Sequence, residues 1–282
     1  MRQSAMIAAN RDRKSPMPKN TSAENQTLAK RLWEARANSK AIAPLGIEFP
    51  SLDAAQAYEV LWEGIRLRED QGEQVVAYKM GLTSRAKREQ MNLKDPIYGV
   101  LTDKMEYDSD HPFALQSHIH PKAEPEIAFH VSRPFTTVPT PEEAFENCDL
   151  VAPAIEILDS RYEGFKYFSL PDVIADNGSS SSYLIGEPTR RDLIPDWRTL
   201  AEVKMDFLID GTPTHHALSS EISGNPLLSV VALCELFLSQ GRTVPADVWI
   251  LAGAATPAVA LKPGMEVTLK TTLFSPIGFH AK

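Results

Sequence analysis

Apolar residues recur at helical spacing twice near the start of the chain. Leu28, Leu32 and Trp33 share one face of a helix predicted from about Ser22 to Asn38, with Thr21 and Glu24 at capping-box spacing before it. After Ser51 the pattern repeats in Ala54, Tyr58, Leu61 and Ile65, and Gly72 stands just past its end. The period then drops to two. Gln74 to Met80 predicts a strand that delivers Lys79 to the turn Gly81-Leu82-Thr83, ahead of a short basic helix beginning at Ser84. Pro96-Ile97-Tyr98-Gly99 reads as a turn into the strand Val100-Leu101, and Thr140-Pro141-Glu142-Glu143 opens a short helix. Ala201 to Asp210 alternates into a hairpin signal at Asp210-Gly211. Asn225-Pro226 starts an apolar helix ending at Gly241, Val248 to Leu251 is a buried strand, and Glu266 to Phe274 is the last strand. Strands outnumber helices after residue 74 without regular βαβ alternation, which predicts an α+β fold with a mixed, strongly curved sheet. Residues 1–20 are expected to be a disordered tail, 21–73 an N-terminal helical cap and 74–282 the main, sheet-bearing domain.

Two stretches break this pattern with charge. In Glu124-Pro125-Glu126-Ile127-Ala128-Phe129, strand geometry sends Glu124 and Glu126 to one face and Pro125, Ile127 and Phe129 to the other. In Ala154-Ile155-Glu156-Ile157, a lone acid again interrupts a β-branched run. Carboxylates among so many apolar neighbours call for a counter-charge, and an all-oxygen set suits Mg²⁺ or Mn²⁺ better than Zn²⁺. Ordinary solvated strand faces are the alternative. Lys79 has two readings as well: an active-site cation, or an amphipathic side chain with its head in water. His118 and His120 fall in a loop near the acid pair, and the run from Ala175 to Ser180 is rich in the small polar groups of a ligand-binding turn.

Composition narrows the classes of function. A net charge of -8 over 282 residues argues against nucleic acid as the partner. No run reaches the ~18 apolar residues of a membrane span, and Leu227 to Leu238, broken by Ser229 and Glu235, reads as a core helix. Cys148 and Cys234 lie far apart among apolar neighbours, so a reducing, cytoplasmic setting is expected. The basic N-terminal residues lack the apolar core of a secretory signal.

Five motifs in order carry a resemblance: Lys79-Met80-Gly81-Leu82-Thr83-Ser84, Pro96-Ile97-Tyr98-Gly99, His120-Pro121-Lys122-Ala123-Glu124-Pro125-Glu126, Glu156-Ile157-Leu158-Asp159-Ser160-Arg161-Tyr162 and Ala175-Asp176-Asn177. Together they resemble the hydratase and decarboxylase branch of the fumarylacetoacetate hydrolase superfamily, which acts in meta-cleavage degradation of aromatic compounds. The resemblance implies Mg²⁺ or Mn²⁺ held by Glu124, Glu126 and Glu156, Lys79 as the catalytic lysine, and a 2-oxo acid substrate. Ile97, Asp159, Arg161, Asn177, Ser179 and Thr256 are the substrate-binding positions expected from it. Hydratases of the branch carry an acid where this chain has Ile97. That difference implies a lyase that decarboxylates 2-oxo-3-hexenedioate to 2-hydroxypenta-2,4-dienoate, with a 2-hydroxypenta-2,4-dienoate hydratase, or a non-catalytic partner subunit of one, as the alternatives. A homo-oligomer is expected, as is association with a dienoate hydratase. Pro125 departs from the small residue usual between the two acids.

Overall fold

The structure, a computed structural model, describes residues 22–84, 96–166 and 169–282. The expected tail and the basic helix after Ser84 lie outside the described residues.

Helix α1 (Ala23–Ala37) is capped by Ser22, whose hydroxyl accepts from the Asn25 amide at 3.1 Å. Asp53 caps α3 (Ala54–Glu69) in the same way, and the short α2 (Leu45–Glu48) lies between them. The cap of α3 shifts its buried stripe from the expected Ala54 to Ala57, Val60, Leu61 and Ile65. Leu28 and Leu32 of α1 meet Ala57 and Val60 in a small core that also takes in Ile97.

The main sheet runs β2 (Ile97–Thr102), β1 (Val75–Gly81), β9 (Val248–Leu251), β3 (Lys122–Val131), β4 (Cys148–Leu158), β5 (Ser180–Ile185). Two short strands join its flanks: β10 (Val259–Ala260) on β3 and β6 (Thr189–Arg190) on β4. Strand β1 is parallel to β9 and every other pairing is antiparallel, so the sheet is mixed as expected. Ile97 to Gly99, expected in a turn, belong to strand β2, because Gly81, Met80 and Lys79 pair with Ile97, Tyr98 and Gly99 in turn. A second sheet has the order β12 (Ile277–His280), β11 (Glu266–Thr271), β7 (Lys204–Ile209), β8 (Thr212–Leu218). Its edge strand β12 extends the fold beyond the expected last strand.

Odd-numbered β3 and β4 residues, among them Ile127, Phe129, Ile155 and Ile157, enter the main core with α6 (Pro226–Ser239) and the second sheet. The opposite face is paved with small residues, Ala77, Ala128, Ala152 and Ala154. The stretch Ser219–Ser239 is apolar enough by length and composition to cross a membrane, but Leu227, Val230, Leu233 and Phe237 within it are buried in the core. Half of its apolar window is buried within the fold. Two further helices, α4 (Pro141–Asn147) and α5 (Leu170–Ala175), flank β4, the first closed by a Thr140–Glu143 capping box.

Candidate metal centre

Alternation along β3 and register with β4 bring the three acids together. Glu124 lies directly opposite Glu156, Glu126 opposite Ala154, and all three side chains leave the alanine face of the sheet. Ligand oxygens of Glu124, Glu126 and Glu156 fall within 4.8 Å of one another. Like charges opposed across a strand pair destabilise it. Here Glu126 and Glu156 are also fully buried.

Lys79 supplies one compensating charge. It points from β1 to the same place, donating from Nζ to the Gly178 carbonyl at 2.8 Å and to Glu156 Oε2 at 3.3 Å. The Ser180 hydroxyl donates to Glu156 Oε1 at 3.1 Å, and the Gly253 amide donates to Glu126 Oε2 at 2.7 Å. The other Glu126 oxygen, Oε1, is buried with no partner among the described residues. Burial, then Glu156 and Glu124, push the Glu126 carboxyl well above its ordinary range, against the pull of Lys79 and the Gly253 amide. Two further carboxylates stand beside Glu126, and its orphaned oxygen marks where a ligand bond is missing among the described residues. This set fits one hard divalent cation such as Mg²⁺ or Mn²⁺.

Pro125 is tolerated between the acids because of how β3 is flanked. On the edge away from β4, β3 pairs with β10 at Lys122 and Ala123 and with β9 only from Ala128 onward. The loop after β9 fills the gap, and the Ala252 and Ala255 amides donate to the Ile127 and Pro125 carbonyls. A residue's N–H and C=O leave a strand on the same side, so the missing amide of Pro125 faces that loop and removes no bond to β4. The same loop carries Gly253, whose φ of 107° and closeness to Thr83 (2.5 Å from a notional Cβ to Oγ1) restrict the position to glycine.

The turn after α5 builds the wall around Lys79. Asn177, Gly178 and Ser179 have φ of 53°, 58° and 62°, three left-handed residues in a row. A Cβ on Gly178 would lie 2.7 Å from Lys79 Cε, and one on Gly99 would lie 2.9 Å from both Asn177 O and Ser180 Oγ. Ile97 and Lys79 both reach the space beside Gly81, where a Cβ would sit 3.0 Å from Ile97 Cγ1 and 3.9 Å from Lys79 Nζ.

The other expected site residues have their polar groups committed to protein partners. Asn177 accepts from the Val100 amide and donates to the Val100 carbonyl, both at 2.8 Å. Arg161 pairs with Asp176 and donates to the carbonyls of Asp159 and Ser180 at 2.9 Å. Asp159 accepts from the amides of Ile119 and His120, which ties the His118–His120 loop to the end of β4. The Ser179 hydroxyl donates to Asp176 at 3.1 Å, and the buried Thr256 donates to the Pro257 carbonyl at 3.2 Å. The Gly253 amide was not expected, and only the glycine following the buried strand Val248 to Leu251 signalled it. Gly178 and Ser180 fall in the turn expected to bind a ligand, but their bonds to Lys79 and Glu156 were not foreseen.

The strongly curled mixed sheet that carries the three carboxylates and the lysine has the fumarylacetoacetate hydrolase fold, shared at 13% identity by solved structures of that type. No protein-family profile matches the chain. A 4-oxalocrotonate decarboxylase of Pseudomonas sp is 38% identical over 252 residues, covering 89% of this chain and 96% of that protein. A 2-keto-4-pentenoate hydratase of Paraburkholderia xenovorans is 33% identical over 245 residues, covering 86% and 90%. Among solved structures, the 4-oxalocrotonate decarboxylase of Pseudomonas putida G7 complexed with magnesium and adipate superposes with a TM-score of 0.88 at 30% identity, covering 94% of this chain and 100% of that one. The chain belongs to the family of 4-oxalocrotonate decarboxylases and 2-keto-4-pentenoate hydratases.

Proposed function

We propose that this chain is a metal-dependent carboxy-lyase that converts 2-oxo-3-hexenedioate (4-oxalocrotonate) to 2-hydroxypenta-2,4-dienoate and CO₂. The observation that carries this reading is the apolar Ile97 set against the Lys79 amine beside the three-carboxylate centre. A relative named a decarboxylase at 38% identity, against 33% for one named a hydratase, supports it.

Glu124, Glu126 and Glu156 hold the divalent ion, which when bound supplies the positive charge of a Lewis acid at the 2-oxo end of the substrate. The distal carboxylate leaves as CO₂, and the electron pair of the broken bond moves through the double bond to the keto oxygen, which takes up one proton. Lys79, anchored by the Gly178 carbonyl and Glu156, is the group that holds that proton and stabilises the growing charge. Ile97 shields this pocket wall from water and offers no acid to assist hydration. Asp159, Arg161, Asn177 and Ser179 act on the 2-oxo acid by fixing the turn that carries Gly178 and Ser180. Thr256 does so from the loop that carries Gly253.

The helices of 21–73 serve as a cap over the domain 74–282. We further propose a homo-oligomer that associates with a dienoate hydratase, because the dienol product is short-lived, and a cytoplasmic setting.

Replacing Ile97 tests the reading. Ile97→Asp introduces a carboxylate beside Lys79 and is expected to lower decarboxylation by about tenfold or more, the scale of one lost electrostatic contact. Unchanged CO₂ release would remove the distinction from a hydratase.

A further inference from the structure

Lys122 opens β3, and strand alternation sends its side chain to the face that carries Glu124 and Glu126. Its partner across the strand pair is Leu158, two residues past Glu156 on β4. Strands β1 to β5 hold two lysines, Lys79 and Lys122, and no arginine. Lys79 is taken up by Glu156 and the Gly178 carbonyl, and Arg161, beyond the end of β4, by Asp176.

Lys122 has no ion-pair or hydrogen-bond partner among the described residues. Its half-exposed ammonium lies 3.9 Å from the centroid of the Phe165 ring. Phe165 ends the turn Glu163–Phe165 after β4 with a φ of 55°, a left-handed conformation that a bulky residue rarely adopts. The ring of His120 stands 5.1 Å from Phe165 on centroids, and its Nε2 is buried without a partner among the described residues. Burial pushes the His120 imidazole down, which leaves Lys122 as the fixed charge of this cluster. An aromatic face holds an ammonium more weakly than a carboxylate does, so an incoming anion can draw Lys122 off the ring.

The geometry points to Lys122 as the residue that receives the distal carboxylate of the substrate and so selects a dicarboxylate over a monocarboxylate 2-oxo acid. This assignment rests on the decarboxylase reading, which supplies the six-carbon diacid. The carboxyl carbons of an extended six-carbon chain lie about 6 Å apart, from bonds of about 1.5 Å. Two residues of strand separate Lys122 from Glu124 by about 7 Å, so a substrate whose 2-oxo end lies at the three acids reaches Lys122 with its other end. The charge that Lys122 binds departs as CO₂. Its contact is therefore made with the ground state and lost along the reaction, and it selects the substrate without driving the chemistry.

Titration calorimetry of the Mg²⁺-loaded full chain with 2-oxohexanedioate and with 2-oxohexanoate tests the assignment. These compounds share the 2-oxo acid end and the chain length, lack the double bond that decarboxylation needs, and differ in the far carboxylate. Wild type is expected to bind the dicarboxylate about tenfold or more tighter, the scale of one charged hydrogen bond. Lys122→Met, which keeps an apolar stem on Phe165, is expected to weaken the dicarboxylate to the level of the monocarboxylate and to leave the monocarboxylate as it was. Lys122→Arg is expected to keep the preference. No preference in wild type, a preference that survives Lys122→Met, or equal weakening of both compounds by Lys122→Met overturns the proposal. CO₂ release from 2-oxo-3-hexenedioate by wild type reports the decarboxylase reading separately: release without a dicarboxylate preference removes the assignment to Lys122 alone, and no release removes the reading itself.

Discussion

At the residue scale the decisive feature is Glu126, a buried acid with one oxygen bonded to the Gly253 amide and the other bonded to nothing described. Because its proton is held well above the ordinary carboxylate range, binding a divalent ion must displace that proton. The sign follows directly: below the raised pKa, lowering the pH favours the protonated acid and weakens the ion's hold, and raising it strengthens binding. Mg²⁺ affinity is therefore expected to rise by up to about tenfold per pH unit there, with about one proton released per ion. Calorimetry in buffers of different ionisation enthalpy measures both, and a pH-independent affinity would contradict the assignment. The three acids were legible in the sequence because strand alternation and burial act on local pattern. Their hydrogen bonds to Ser180 and Gly253 were not, since each partner comes from a segment distant in sequence and is placed only by tertiary packing, although Ser180 stood in the polar turn read as ligand-binding.

At the scale of elements, the turn from Asp176 to Ser180 does most of the positioning. Its left-handed Asn177 and Ser179 cost conformational energy, and the paired hydrogen bonds between Asn177 and the Val100 backbone hold the turn in place. Asn177→Ala leaves a strand amide and carbonyl without those partners and is expected to cost about 1–3 kcal/mol in denaturant unfolding. Decarboxylation should fall with it, as Gly178 drifts from Lys79, while Mg²⁺ affinity changes little. Loss of metal binding without loss of stability would count against this role. The elements were read unevenly from the sequence. The helices carried caps and stripes, but Pro96 and Gly99 disguised the start of β2, whose strand character comes from pairing with β1. Strand β12 was hidden by Pro276 and Gly278. A Cβ at Gly278 would lie 2.2 Å from the Val267 carbonyl, so this residue marks a close strand approach where it resembled a loop.

At the scale of the whole molecule, the helical segment and the sheet are tied through Tyr98. Its hydroxyl accepts from Trp62 of α3 at 3.0 Å and donates to Gln240, just past α6, at 2.6 Å, and its ring stacks on Tyr58 at 4.4 Å. Tyr98 is the neighbour of Ile97, so this anchor fixes the apolar wall against Lys79. Tyr98→Phe strands the Trp62 N–H and is expected to cost about 1–3 kcal/mol by chemical denaturation, with Mg²⁺ affinity retained. No cost would show that the anchor is dispensable. The curved mixed sheet was foreseeable from the excess of strands without βαβ units. The stacking of Lys122 on Phe165 was not, because the two residues belong to separate segments that meet only once β3 pairs with β4 and the turn after β4 folds back.

The central claim is metal-dependent decarboxylation at the Glu124, Glu126 and Glu156 centre. An ultraviolet time course of the purified protein with 2-oxo-3-hexenedioate, with Mg²⁺ and with a chelator, alongside 2-hydroxypenta-2,4-dienoate, tests it most directly. The account predicts Mg²⁺-dependent loss of the first compound with CO₂ release, abolished by the chelator and by Glu126→Gln. Turnover of the second compound alone, or decarboxylation indifferent to the metal, would contradict it.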